Sequence, residues 1–110
     1  MEESKVTPRC PIRTTLELVG GKWKLLIIQE LAKGPIRLSQ LKKQIPDISE
    51  KMLIQELKHL VNSDLASRKN FGEVPPRVEY ALTEQGKKAV PLIKELAQFG
   101  MQYEQFIKSE

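Results

Sequence analysis

Lys51, Gln55, Lys58 and Asn62 recur at steps of four, three and four near the middle of this 110-residue chain. On a helix these positions fall in one stripe. Ammonium groups donate to phosphate oxygens, and a carboxamide donates and accepts at once, as an adenine edge requires. Leu53, Leu57 and Leu60 fall opposite, so the segment has one apolar face and one face suited to an anion or a base edge. The same pattern also suits a helix whose polar face is merely solvated, and taken alone that bland reading is the commoner one.

Other chemistries find little material. One cysteine excludes an internal disulfide or a cysteine-based zinc cage, and there is a single histidine. Glycine-rich phosphate loops, metal-ligand clusters and nucleophile motifs are absent. Glu50 and Glu56 are six apart and share no tight helical face. The expectation is a protein that is not an enzyme, with no cofactor and no metal.

With 40% apolar and 29% charged residues, the chain suits one folded domain. No apolar run reaches the length of a membrane span, and the acidic start, Met1-Glu2-Glu3-Ser4, does not resemble a secretory signal. A cytoplasmic location without membrane attachment is expected. The net charge of +4 permits an anionic partner. All of the excess lies in residues 1–48, with nine Lys/Arg against five Asp/Glu. Residues 49–82 balance at five and five, and residues 83–110 at four and four. Geometry must therefore carry any nucleic-acid argument along with charge.

The elements that would position the stripe can be read in order. Residues 1–9 suggest a flexible polar arm, and 10–110 a single domain. Pro11 opens a short helix with Ile12, Leu16 and Val19 on one face, stopped by Gly20-Gly21. A second helix is expected from about Lys22 to Lys33, with Trp23 inward, ended by Gly34-Pro35. A third covers residues 38–44, with Leu38 and Leu41 inward. Ser49 is a good N-cap for the fourth, which carries the stripe to about Asn62. Leu65–Lys69 and Arg77–Leu82 read as two strands joined around Pro75-Pro76. Thr83 would cap a long final helix toward Lys108, kinked or broken near Pro91. In that helix Leu92, Leu96, Phe99, Tyr103 and Phe106 form a heptad seam, widened by Ile93, Ala97, Gly100 and Ile107.

Four helices, a β-hairpin and a last helix form the layout of a winged helix-turn-helix: mainly α, with a small β-hairpin wing. Two blocks are specific. Leu18-Val19-Gly20-Gly21-Lys22-Trp23-Lys24-Leu25-Leu26-Ile27-Ile28, with Cys10-Pro11 ahead of it, resembles the second-helix signature of the HxlR family of bacterial regulators, related to the MarR group. Glu73-Val74-Pro75-Pro76-Arg77-Val78-Glu79-Tyr80-Ala81-Leu82-Thr83 is similar to that family's wing and final cap. Gly34-Pro35-Ile36-Arg37-Leu38-Ser39-Gln40-Leu41 and Ile48-Ser49-Glu50-Lys51-Met52-Leu53 fit its intervening blocks, although Phe is commoner where Leu38 stands. The resemblance spans about residues 10–100.

The resemblance implies a transcriptional regulator that binds palindromic double-stranded DNA as a homodimer. It implies groove and phosphate contacts from Arg37, Ser49, Lys51, Gln55 and Lys58, and wing contacts from Arg68, Lys69 and Arg77. Residues 10–20 and 84–108 would form the dimerisation helices, through Leu92, Leu96, Phe99, Tyr103 and Phe106. Cys10 stands where some members carry a redox-sensing thiol; packing on the first helix is the alternative. A small-molecule or oxidant effector is left open. Glu50 and Glu56 depart from the family, where Gln and Arg are common. A carboxylate facing DNA costs attraction unless it reads a cytosine amino group or pairs internally. The rival reading is a dimeric winged-helix module for protein interaction that has lost DNA binding.

Overall fold

The computed structural model describes residues 10–109, so the arm expected over residues 1–9 lies outside the described residues. The elements are α1 (Pro11–Val19), α2 (Lys24–Leu31), β1 (Ile36–Arg37), α3 (Leu38–Gln44), α4 (Glu50–Asn62), β2 (Ala66–Asn70), β3 (Val78–Leu82), α5 (Glu84–Lys87) and α6 (Val90–Lys108). Pro11 opens α1, where its missing N–H costs no helical bond. The second helix starts later than its apolar spacing suggests. Gly21 adopts φ +94°, a left-handed conformation that a helix cannot contain, and the chain turns through residues 21–23 before α2 begins.

The apolar periodicities of α2, α3 and α4 converge on one core. Ile27, Ile28 and Leu31 of α2, Leu41 of α3, and Leu53, Leu57 and Leu60 of α4 are buried together with Ile45 and Ile48 of the connecting turn. Trp23 was expected inward, but it sits half-buried at the N-cap of α2, against the core's edge, with the Lys22 ammonium 4.7 Å from its ring. Ile27 and Ile28, one turn further on, are fully buried.

The wing is larger than a hairpin. β1 joins it, giving an antiparallel sheet in the order β1-β3-β2. Ile36 pairs with Tyr80 and Arg37 with Glu79. Two residues are too few to show an alternating pattern, so this strand is invisible in the sequence. Its presence makes β3 central. Tyr80 is therefore buried and its strand neighbours half-buried, while β2 is exposed beyond Ala66.

The expected single terminal helix is two. The Thr83 hydroxyl accepts from the Gly86 N–H at 3.0 Å and donates to the Asp64 carbonyl at 2.6 Å. It thus caps only the single turn of α5. Pro91 lies in the first turn of α6, the position a proline tolerates, so the break falls just before it. No residue of α6 is buried, and the helix extends the molecule to 57 × 35 × 23 Å. The radius of gyration is 15.7 Å, against about 13 Å for a compact chain of this length.

Gly86 is where α5 meets the end of α4. A Cβ there would collide with the Leu65 carbonyl oxygen, a backbone atom that cannot swing aside. Gly86→Ala should therefore lower the unfolding free energy by about 1–3 kcal/mol, the range for overpacking a tight site. Urea denaturation checks this, and an unchanged midpoint would refute the close approach.

Candidate nucleic-acid interface

Ser49 starts α4 as its residue type suggests: the Met52 N–H donates to its Oγ at 3.1 Å. That hydroxyl keeps its own proton for donation outward. With Leu53, Leu57 and Leu60 fully buried, Lys51, Gln55, Lys58 and Asn62 are all exposed on the opposite face. The stripe is thus on the molecular surface as its spacing requires. Met52, Ile54 and His59 flank it, also exposed.

Glu50 and Glu56 behave differently. Glu56 lies on the flank of α4 and turns toward α2, where its carboxylate meets the Lys24 ammonium at 2.8 Å. The two side chains are 16% and 15% exposed, so solvent screens this pair less than a surface pair. Glu56 is the internally paired carboxylate rather than one presented to a ligand. Glu50 is exposed in the first turn of α4, where the helix dipole favours a negative charge.

The far end of α4 aims the wing. Asp64 takes φ +64°, the Leu65 N–H returns to the Leu60 carbonyl at 2.9 Å, and the Asp64 N–H to Val61 at 3.0 Å. This is the Schellman arrangement of a helix C-terminus. One residue later β2 begins, so the cap sets the angle at which the wing leaves α4.

Strand register sorts the wing cations. Arg68 is opposite Tyr80, and Lys69 opposite Glu79. Because paired residues share a face, Arg68 lies on the face of buried Tyr80 and Lys69 on the other. The sequence reading grouped them; the sheet separates them, although both are exposed on an edge strand. Glu79 lies between Arg37 and Lys69 across three strands, an alternation of charge that sequence spacing could not show because β1 was unseen.

Arg77 is the most constrained of the expected contacts. Its guanidinium carbon lies 3.8 Å from the Phe71 ring centroid, and Nη2 meets Glu73 Oε2 at 3.2 Å. Its carbonyl accepts from the Phe71 N–H at 2.9 Å, closing the loop. The Lys69 ammonium approaches the same ring at 4.8 Å. Phe71 is thus a platform for two cations, each such contact worth about 0.5–1 kcal/mol when exposed. Sequence reasoning missed this role, and an aromatic ring flanked by basic residues at a strand end was the available signal. Val74 at the tip of the loop is 98% exposed.

Ile12 and Leu16 of α1 and Leu96, Phe99, Tyr103 and Phe106 of α6 are exposed apolar residues. Leu92 differs from the rest of the seam in packing partly against its own core. It also lines an apolar groove of about 480 Å³ between α1 and α6, with Leu16, Val19 and Leu96. Cys10 is an exposed free thiol at the N-cap of α1. Among the described residues no His/Cys/Asp/Glu group could hold a metal ion, and no helix is long and apolar enough to cross a membrane.

Residues 18–108 match the family model of the HxlR-like helix-turn-helix. The chain is 49% identical over 94 residues to YkvN of Bacillus subtilis, an uncharacterized HTH-type transcriptional regulator, covering 86% of this chain and 80% of that one. Among solved structures, the redox regulator HypR in its reduced form superposes with a TM-score of 0.84 at 30% identity, over 92% of this chain and all of that one. Reduced YodB from B. subtilis gives 0.75 at 35% identity, covering 86% and 93%.

The Lys24–Glu56 pair should hold the rotation of α4. Glu56→Ala leaves a largely buried ammonium without its partner, and should cost on the order of 1–3 kcal/mol. Double removal, as Lys24→Met with Glu56→Leu, should recover most of that loss. A thermodynamic cycle by urea denaturation measures both, and additive losses would mean that the pair does not couple the helices.

Proposed function

The chain belongs to the HxlR-like helix-turn-helix family, and on that premise we propose that it is a sequence-specific DNA-binding transcriptional regulator, acting as a homodimer on palindromic operators. The observation that carries the reading is the exposed stripe Lys51, Gln55, Lys58 and Asn62, directly opposite three buried leucines on a capped helix. A helix of this kind fits the major groove, where Gln55 can pair with adenine in a bidentate manner. Lys51, Lys58 and the Ser49 hydroxyl then reach phosphates at the groove's margins. Arg68 and Lys69 reach the backbone from the edge strand, and Arg37 from the start of α3. Arg77 acts by holding the loop through Phe71 and Glu73 as well as by its charge.

The second copy docks on the unburied face of α6 and the groove beside α1. Phe99 is 67% exposed and Phe106 59%, and a contiguous apolar face of that kind marks an association surface. A two-fold dimer presents two copies of α4 to two half-sites, which is why the operator would be palindromic. The work is regulation in the cytoplasm rather than catalysis.

A redox response would pass through Cys10. The structurally similar HypR is a redox regulator, and the transcriptional regulator YodB has been solved in reduced and diamide-treated forms. With one cysteine per chain, any disulfide here is intermolecular. Cys10→Ser would bind DNA yet ignore a mild oxidant; equal sensitivity of both proteins in a gel-shift assay rejects the role.

The even charge of residues 49–82 favours a second reading, a winged-helix module for protein partners without DNA binding. Mutation and salt separate the two. Gln55→Ala should relax preference at one base pair of each half-site and weaken binding to the preferred operator by about 1–3 kcal/mol. Lys51→Ala should weaken all duplexes alike and flatten the salt slope by about one unit. Arg77→Ala should do the same, and Phe71→Ala should reproduce part of its loss. Fluorescence anisotropy against salt concentration reads all four, and a flat salt response of the parent protein supports the interaction module. Replacing Phe99 and Tyr103 by Glu should give monomers with weak half-site binding. Sedimentation checks this, and a monomeric parent at micromolar concentration rejects the dimer.

A further inference from the structure

A second cavity, of about 540 Å³, opens where the end of α2 meets β3 and α5. It shares no lining residue with the groove between α1 and α6. Its walls include Leu31, Leu82 and Val90, and its volume falls within the roughly 300–1,000 Å³ of small-molecule sites. Among the described residues, Lys33 and Lys87 are the only charged ones that line it. Each ammonium meets a carboxylate three residues away on its own chain segment, Glu30 at 3.0 Å and Glu84 at 3.2 Å. Both lysine side chains are well exposed, 67% for Lys33 and 60% for Lys87, although Glu30 is itself only 15% exposed; the open Lys87–Glu84 pair contributes little. The turn that shapes the mouth is set by Gly34 at φ +135°, followed by Pro35.

We propose that this cavity is a binding site for a small amphipathic carboxylate, its apolar body against Leu31, Leu82 and Val90 and its charged end between Lys33 and Lys87. Neither the stripe of α4 nor the wing loop takes part, so the site stands or falls independently of DNA binding. Its walls do include the strand that carries the wing and the first residue of α6. A bound ligand would therefore touch both the proposed DNA-binding part and the proposed dimer helix.

Cinnamate and its uncharged counterpart cinnamamide test the assignment on the full chain, by proton–nitrogen correlation spectra. Cinnamate should shift the amides of residues 31–34, 81, 82, 87 and 90, and cinnamamide should bind at least about tenfold more weakly. The double variant Lys33→Gln/Lys87→Gln should lose about tenfold in cinnamate affinity and none for the amide. Ala32→Phe, which places a ring at the mouth from an exposed position, should block both, with thermal unfolding confirming that each variant folds. No saturable shift up to about 5 mM cinnamate, shifts centred elsewhere, or equal affinity in the lysine variant would overturn the proposal.

Discussion

Burial of Leu53, Leu57 and Leu60 against the α2 isoleucines is the constraint from which the rest follows. Each fully buried leucine contributes about 1.5–3 kcal/mol, far more than any surface pair in the molecule. That burial fixes the rotation of α4, and the rotation decides which side chains face outward. A turn of one residue would bring Gln55 toward the core and a leucine to the surface. The Lys24–Glu56 pair adds direction where leucines supply only adhesion, since it holds a single flank of α4 at a single distance from α2.

The same helix governs the wing. Its C-terminal cap ends in Leu65, whose N–H returns to Leu60 and whose carbonyl accepts from the Thr83 N–H at 3.1 Å. Thr83 also donates to Asp64. One short segment thus ties the end of α4 to the end of β3 and the start of α5, with Gly86 packed on it. The polar stripe, the wing and the root of α6 share this junction, so their relative placement is a property of the core rather than of flexible loops. Beyond it, α6 leaves the core with its apolar side uncovered.

Much of this was legible in the residues. Ser49 three residues before Met52 and leucines at steps of four and three dictate a capped amphipathic helix, and that helix is present with those limits. The apolar seam of α6 was equally plain, because an uncovered face obeys the same periodicity as a covered one. What escaped depended on contacts distant in sequence. β1 is two residues long and exists only because Ile36 meets Tyr80. Trp23 looked internal by size, yet it is only partly buried against a core in which Ile27 and Ile28 are fully buried. Glu56 pairs with Lys24, 32 residues away on another helix, a contact that spacing along α4 does not show. Arg77 read as a wing contact to DNA, and its engagement by the Phe71 ring and the Glu73 carboxylate depends on loop geometry that spacing does not show. The parting of Arg68 from Lys69 follows from strand register alone.

If α4 enters the major groove from each half of a dimer, the mark on the DNA is specific. A duplex selected from random sequence by the protein can be probed by methylation protection at guanine N7, an atom exposed only in the major groove. The account predicts two protected patches related by dyad symmetry, with centres about 10–10.5 base pairs apart or a multiple of that. A selection that yields no preferred sequence, or protection confined to a single patch, would contradict it.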